Sequence, residues 1–256
     1  MSLALYPTAG VRFWTPEETR RRALVQQTLV DCVERTLLDL NQMWRVVQVE
    51  TPAIMPLARM NKSYSRDDVF LLMDSPAGTE QWGLRPETTD GSYLAAEWLL
   101  RNTTMRAPLC VWQTGRSYRR ETSDGATAAK LRFNEFQQLE FQCLYGETTQ
   151  APIAEALRAA LQPCVERLTG RHTRVVPSDR LPAYATETLD LEVLTDAGQW
   201  REVASTSRRT DFPAVPGLKY QCQCFEVAFG LDRMVELSTG GSTRLPAPGR
   251  QEVMAE

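Results

Sequence analysis

Residues 113–142 read QTGRSYRRETSDGATAAKLRFNEFQQLEFQ, and this stretch decides the fold. It predicts two strands joined by a polar, glycine-containing turn. The first strand is expected to end in Arg119-Arg120-Glu121, and the second carries Phe136 and Glu140. Side chains two residues apart on a strand point to one face, so Arg119 and Glu121 are expected to face the same way. An aromatic on the returning strand can share that face. A guanidinium suits a phosphate, a carboxylate suits an amino group and a ring suits a base. Together they outline a candidate nucleotide site.

The chain around the hairpin has 256 residues, of which 43% are hydrophobic and 24% charged, and its net charge is −3. Those proportions are ordinary for a globule large enough to bury a sizeable core. No global basic field marks it as a nucleic-acid binder. Local clusters occur at Arg20-Arg21-Arg22, Arg119-Arg120 and Arg208-Arg209, the first reading as a solvated helix face. No apolar run is long enough to span a bilayer and no signal peptide is recognised, so a cytoplasmic setting with reduced thiols is expected. Cys222 and Cys224 are the only close pair among six cysteines. They would share one side of a strand and could hold zinc, but no CxxC or histidine partner accompanies them. His172 is the only histidine, which argues against a Ser-His-Asp or Cys-His mechanism and excludes a multi-histidine metal site. The chemistry therefore falls to arginine and carboxylates.

Upstream, Thr15-Pro16-Glu17-Glu18 is a helix start, with Thr15 as cap, proline at the first helical position and Glu18 three residues after the cap. Leu24, Val25, Leu29, Cys32, Val33, Leu37 and Leu40 then recur at helical spacing to about Asn41. RVVQVE (45–50) is strand-like and stops at Thr51-Pro52. Short strands are expected over 68–73 and 81–84, a polar turn over 85–91, and a helix over 91–101. A further helix is read over 151–169, a hairpin from LDLEVL (189–194) and WREVA (200–204), and a strand over 225–229. The last helix opens at Gly230-Leu231-Asp232-Arg233, and the Gly/Pro-rich segment from Ser238 reads as a loose tail. The pattern predicts an α+β fold with a mostly antiparallel sheet and helices flanking it. One domain is expected over residues 1–237, followed by a tail over 238–256.

In order along the chain, these segments resemble the three motifs of the class II aminoacyl-tRNA synthetase catalytic core. The long helix, RVVQVETP and Pro52 resemble motif 1, which forms the dimer interface in that family and so implies a homodimer. Arg119-x-Glu121, with Phe136 and Glu140 behind the loop, resembles motif 2. Glu226 followed by Gly230-Leu231-Asp232-Arg233 resembles motif 3. Within the class the glycyl type is most similar: LRPETTDG (84–91) resembles LRPETAQG, QTGRSYRRE resembles QIGKAFRNE, and LRFNEFQQLEF resembles LRSREFEQMEI. WREVASTSRRTDF (200–212) is similar to both glycyl- and seryl-type sequences, and LRPE also occurs in the histidyl type.

The resemblance implies ATP-dependent activation of an amino acid as its adenylate, with Mg²⁺ and without a membrane partner. It assigns Arg119 to the ATP α-phosphate, Glu121 to the adenine amino group and Phe136 to stacking on the base. Arg233 covers the other face of the adenine or reaches the γ-phosphate. Glu202 and Glu226, with Ser205 beside Glu202, would hold Mg²⁺. Glu87 would bind the α-ammonium with Gln138 near it, and one of Arg208 and Arg209 would enter the site, Arg209 aligning better. A carboxylate is already a nucleophile, so positioning and charge neutralisation can carry such a reaction.

The sequence departs from the glycyl pattern in three places. Glu226-Val227-Ala228 stands where the glycyl type has Glu-Pro-Ser, whose serine helps hold glycine. Asn134 stands where that type has arginine. The sequence stops soon after motif 3, so no anticodon-binding domain is expected, and the loop 122–130 carries a single cation, Lys130. The expected acceptor is therefore a carrier-protein thiol, a small-molecule amine, or a tRNA read only at its acceptor end. The alternative class is a non-catalytic paralogue acting as a regulatory or polymerase-accessory subunit. Such proteins tend to lose the motif 2 and motif 3 arginines, and both are retained here.

Overall fold

The hairpin is the spine of the sheet. In the computed structural model, β6 (Leu109–Tyr118) pairs antiparallel with β7 (Glu135–Tyr145), placing Gln113 opposite Glu140 and Ser117 opposite Phe136. The structure describes residues 3–6, 10–61, 63–74, 78, 80–121, 131–146, 152–179 and 181–238. The loop 122–130 and most of the predicted tail lie outside them.

The remaining elements are β1 (Leu3–Tyr6), β2 (Val11–Phe13), α1 (Pro16–Leu40), β3 (Arg45–Gln48), β4 (Ile54–Pro56), β5 (Trp82–Leu84) and α2 (Thr89–Asn102), then α3 (Ile153–Thr169), β8 (Thr173–Pro177), β9 (Ala185–Leu194), β10 (Trp200–Arg209), β11 (Gln223–Gly230) and α4 (Leu231–Leu237). Seven strands form one sheet in the order β3-β6-β7-β11-β10-β9-β8. Only β3 runs parallel to its neighbour, β6. The other contacts in this sheet are antiparallel. The expected mostly antiparallel α+β architecture is what the chain adopts.

Alternation along the strands divides the sheet into two chemically distinct faces. Leu139, Phe141, Cys143, Phe225, Val227, Phe229, Leu191 and Val193 point one way. They pack with Val25, Leu29, Val33 and Leu37 of α1, with Leu157, Leu161 and Val165 of α3, and with Leu231 and Met234 of α4. The opposite face carries Phe136, Gln138, Glu140 and Gln142 of β7, Glu226 and Ala228 of β11, and Ser205 and Ser207 of β10. At one end of that face α2 packs Tyr93, Ala96 and Leu100 over Leu109, Val111 and Leu144. The rest is a polar floor.

α1 begins as its sequence requires. Thr15 Oγ1 accepts from the Glu18 backbone N–H at 3.2 Å, and Glu18 Oε2 accepts from the Thr15 N–H at 2.8 Å. Two donors at the helix start are thus satisfied reciprocally. Glu18 also takes Arg12 at 2.7 Å, which ties β2 to the same turn. Replacing Thr15 by Ala should lower stability by about 1 kcal/mol. A thermal melt matching the unmodified protein would remove the cap from this account.

Three expectations about elements fail locally. Residues 68–73 do not form a strand: Arg66–Asp68 is a single 3-10 turn, and beyond it Leu71 makes only an isolated bridge to Gly83. The 3-10 turn is closed by Ser65, whose hydroxyl and backbone N–H both bond Asp68. The turn expected over 85–91 is shorter, because α2 already begins at Thr89. The strand β6 ends at Tyr118, one residue before Arg119. β1, β2, β4 and β8 were not anticipated. Among the described residues, no helix is long and apolar enough to cross a membrane.

Candidate active site

The polar floor is closed on its α2 side by the segment Arg85–Thr89. Arg85 is buried, and its guanidinium donates to the carbonyls of Arg116 at 2.9 Å, Thr51 at 2.8 Å and Pro52 at 3.2 Å. One cation thereby joins the chain after β3 to β6 and to its own segment. It passes so close to Gly115 that a Cβ there would collide with the guanidinium, so glycine is required at 115. The clamp sets Glu87, Thr88 and Thr89 over β7 and β11.

Glu87 is buried, and its two oxygens differ. Oε2 accepts from the Tyr64 hydroxyl at 2.8 Å, whereas Oε1 is buried with no partner. A buried carboxylate oxygen without a donor is costly and points to a ligand group that is missing from the free protein. Burial pushes the Glu87 carboxyl up, Arg209 and Arg119 oppose this, and Glu226 adds to it.

Glu140 lies beside it. Thr88 and Thr89 hydroxyls both donate to its Oε2, and Gln138 Nε2 donates to Oε1 at 3.0 Å. Burial, then the charges of Glu226 and Glu87, raise its carboxyl to about 8. Glu226 Oε2 accepts from Gln142 and Arg209, each at 2.7 Å, and shares the one Thr89 hydroxyl proton, at 3.1 Å, with Glu140. Arg209 also holds Asp211 through two hydrogen bonds of 3.0 and 2.6 Å and lies 3.8 Å from the Tyr184 ring centroid. Burial alone would lower the Arg209 guanidinium; Glu226, Asp211 and their neighbours outweigh it and hold the charge.

Arg119 emerges just past β6, where its backbone N–H still bonds the Asn134 carbonyl at 2.9 Å. Its Nε donates to the Pro86 carbonyl at 3.0 Å. The guanidinium carbon lies 5.1 Å from the Phe136 ring centroid and 5.4 Å from that of Tyr64. Burial would lower this cation; Tyr64, Glu87, Glu140 and Glu202 raise it on balance.

The predicted residues thus fall into groups. Glu87, Gln138, Arg209 and Glu226 belong to one buried cluster joined through Glu140, Thr88 and Thr89, with Arg119 and Phe136 adjoining. Arg209 enters this cluster. Arg208 turns outward to Glu155 at 2.6 Å and Glu187 at 3.3 Å. Glu121 lies beyond the strand, where alternation does not place it on the face of Arg119. Its N–H bonds back to the Arg119 carbonyl and to Asn134 Oδ1, each at 2.9 Å, and its carboxylate faces Arg132 at 3.8 Å. Strand alternation does not apply to it because the strand has already ended.

Glu202 and Glu226 are not brought together. Glu226 lies opposite Ser207 and is taken up by Arg209, while Glu202 lies five residues further along β10 and faces Arg233 at 3.3 Å. Ser205 does share Glu202's face. A bulge between Glu202 and Ala204 shifts the register so that Glu202 opposes Glu192 and Ser205 opposes Asp190. An odd spacing of three therefore becomes a same-face pair. Arg233 Nη1 also donates to the Glu202 carbonyl, and its Nε to the Leu131 carbonyl, each at 3.0 Å.

Among the described residues no group of three or more His, Cys, Asp or Glu side chains is arranged to hold a metal ion. Cys222 and Cys224 are both buried, and the Cys224 thiol contacts Gln142 and Tyr93 instead. Glu202 and Ser205 offer a hard, oxygen-only pair open to solvent on the Glu202 side. Such a pair suits Mg²⁺ when substrate phosphates and water complete its shell.

Tyr64, Arg85, Glu140, Thr88 and Thr89 were missed as functional candidates. Glu140 and Arg85 stood in quoted motifs and could have been assigned by alternation and by the LRPE string. Nothing local marked Tyr64.

Residues 70–236 match the family described as "tRNA synthetase class II core domain (G, H, P, S and T)", and the chain belongs to this family. It is 27% identical over 175 residues to a glycine–tRNA ligase of Caldanaerobacter subterraneus subsp. tengcongensis, covering 59% of this chain and 37% of that protein. A glycine–tRNA ligase of Staphylococcus saprophyticus is 28% identical over 174 residues, covering 61% of this chain and 37% of the relative. The chain thus spans well under half the length of these relatives. In fold it is similar to Giardia lamblia prolyl-tRNA synthetase in complex with prolyl-adenylate, with TM-score 0.68, 14% identity, and coverage of 92% of this chain and 49% of that one. A threonyl-tRNA synthetase structure from Cryptosporidium parvum gives TM-score 0.64 at 15% identity, covering 90% of this chain and 66% of that one.

Proposed function

We propose that residues 1–237 form one catalytic domain of an AMP-forming ligase. It activates an amino acid with ATP and passes the aminoacyl group to an acceptor. The observation that carries the reading is the buried, unpartnered Glu87 Oε1, in a carboxylate that feels the charge of the Arg119 guanidinium. An ammonium at Oε1 would fill the one open valence of Glu87 and leave the substrate carboxylate to face Arg119. Arg119 grips the ATP α-phosphate and balances charge that builds as that carboxylate attacks. Pyrophosphate leaves from the α-phosphorus, so no general base is needed.

Phe136 stacks on the adenine and Glu121 accepts from its amino group. For this, Arg119 must slide off the Phe136 ring as the base enters. Arg233 reaches the γ-phosphate or the outer face of the base. Glu202 and Ser205 would hold Mg²⁺, which would supply neutralisation of phosphate charge. Glu226, with Gln138 and Arg209, belongs on this reading to the amino-acid subsite, since it is held by Arg209, Gln142 and the Thr89 hydroxyl that also meets Glu140, and not by the partners of Glu202.

The acceptor is a tRNA end, a carrier-protein thiol or a small-molecule amine. The relatives' names favour tRNA. A cytoplasmic homodimer fits β3, an edge strand at the end of the sheet. Sedimentation of a monomer would refute the dimer.

Amino-acid-dependent ATP–pyrophosphate exchange, run across the twenty standard amino acids without tRNA, tests the reading. Exchange with one or a few amino acids is expected. No exchange together with no ATP binding would leave the non-catalytic paralogue. Replacing Phe136 by Ala should raise the ATP KM about tenfold with a smaller change in kcat, because stacking is largely a ground-state contact. An unchanged ATP KM removes the stacking role.

A further inference from the structure

Tyr64 has no assigned role, yet it touches both halves of the site. It lies between β4 and β5, in a segment fixed from two sides. The Asn61 N–H donates to Asp90 at 2.8 Å, and the Asn61 side-chain amide donates to Asp211 at 3.4 Å. Tyr64 N then bonds the Asn61 carbonyl at 3.0 Å. Asp90 belongs to the first turn of α2 and Asp211 is the partner of Arg209. The segment is thus pinned to the same elements that build the carboxylate cluster.

From this anchored position the Tyr64 hydroxyl reaches Glu87 Oε2 at 2.8 Å, and its ring lies 5.4 Å from the Arg119 guanidinium carbon. Burial raises the Tyr64 phenol well above its ordinary value, with Arg119 opposing and Glu87 reinforcing. It therefore stays a donor throughout the physiological range. A carboxylate with two free oxygens can rotate and take a ligand from either edge. With Oε2 committed to Tyr64, Glu87 presents only Oε1.

We propose that Tyr64 is a positioning residue for amino-acid activation: its hydroxyl orients Glu87 to receive the substrate ammonium on Oε1, and its ring backs Arg119 at the phosphate. This rests on the activation reading above. The hydroxyl acts on ammonium binding and the ring on the group that meets the phosphate, so the two contacts are separable. Tyr64→Phe keeps the ring and removes only the hydrogen bond. Tyr64→Leu removes both.

The test is pyrophosphate exchange by the full chain and both variants, at several pH values, with the Glu87 carboxyl followed by carbon-13 NMR. In Tyr64→Phe the amino-acid KM should rise about tenfold, with the effect concentrated in KM. The acid limb of its pH profile should move upward, because a hydrogen bond that favours the charged carboxylate has been lost. Other charges facing Glu87 remain in that variant, namely Arg209 on β10, Glu226 on β11, Glu140 on β7, Arg119 after β6 and Asp90 on α2. The shift is therefore specific to the hydroxyl. Tyr64→Leu should in addition lower kcat. A wild-type protein that exchanges with no amino acid overturns the activation reading and this proposal with it. A wild type that exchanges, while Tyr64→Phe matches it in KM and in Glu87 titration, overturns the role of Tyr64 alone.

Discussion

Replacing Arg119 by Ala should reduce pyrophosphate exchange by about 10²- to 10³-fold, the usual loss when a fixed donor to developing transition-state charge is removed. Once the base has displaced it from Phe136, the guanidinium is still oriented by its Nε bond to the Pro86 carbonyl and by the Tyr64 ring. It needs no reorganisation when the pentavalent phosphorus forms. The loss should therefore fall mainly on kcat. Arg119→Lys should not restore the rate, since an ammonium cannot donate to Pro86 and present two parallel N–H groups to phosphate oxygens together. The fold should survive either change. The described side-chain contacts of Arg119 are one hydrogen bond to a carbonyl and two ring contacts, and none is a direct ion pair. Comparing exchange rates with thermal melts decides the matter. Exchange at the wild-type rate would show that the motif 2 arginine has been misassigned.

The parts of the site that sequence could disclose are those fixed by strand period and motif order. Phe136, Gln138 and Glu140 alternate onto one face as expected, and Glu226 of β11 lies on it through its pairing with Gln142. Two residues escaped because a local event broke the period. β6 ends at Tyr118, so alternation no longer relates Glu121 to Arg119. A bulge within β10 brought Glu202 onto the face of Ser205 and Glu226, but five residues from Ser207, the residue opposite Glu226. Neither a strand end nor a one-residue bulge has a reliable composition signal, since both depend on what the partner strand offers.

Tyr64 was invisible for a different reason. Its partners, Glu87 and Arg119, lie 23 and 55 positions away and meet it only through the anchoring of Asn61. The strand expected over 68–73 failed because Ser65 and Asp68 close a 3-10 turn just before Val69. There the local bonds of a short polar side chain outcompete an extended backbone.

Between Arg208 and Arg209 the sequence favoured Arg209 only by alignment, and the choice leads to the largest expected effect on stability. Replacing Arg209 by Met should destabilise the protein by about 3–5 kcal/mol, the cost of breaking a buried ion pair by removing one partner. Its side chain is 1% exposed, and Glu226, which it holds at 2.7 Å, is 6% exposed. Without Arg209, Glu226 keeps Thr89 and Gln142 as donors but has no direct counter-charge, and it stands near Glu87 and Glu140. A loss of that size corresponds to a fall in melting temperature on the order of 10 °C in a domain this large.

The sign of the pH dependence follows from Glu140. Its carboxyl is raised from 4.5 in an open chain to about 8 in the fold. A group raised on folding contributes stability that is complete below its unfolded value and is lost as pH rises through its folded value. Removing Arg209 takes away a charge that lowers Glu140 and Glu87, so both should rise further in the variant. The variant should therefore be most impaired near pH 8. Its deficit should shrink as the pH falls toward 5 and the cluster takes up protons. Arg208→Met should change stability far less, because its partners Glu155 and Glu187 remain hydrated at the surface. Melting curves of both variants from pH 5 to 8 test the claim. A deficit for Arg209→Met that does not vary with pH would mean that packing against Tyr184, and not charge balance among Glu87, Glu140 and Glu226, is what Arg209 supplies.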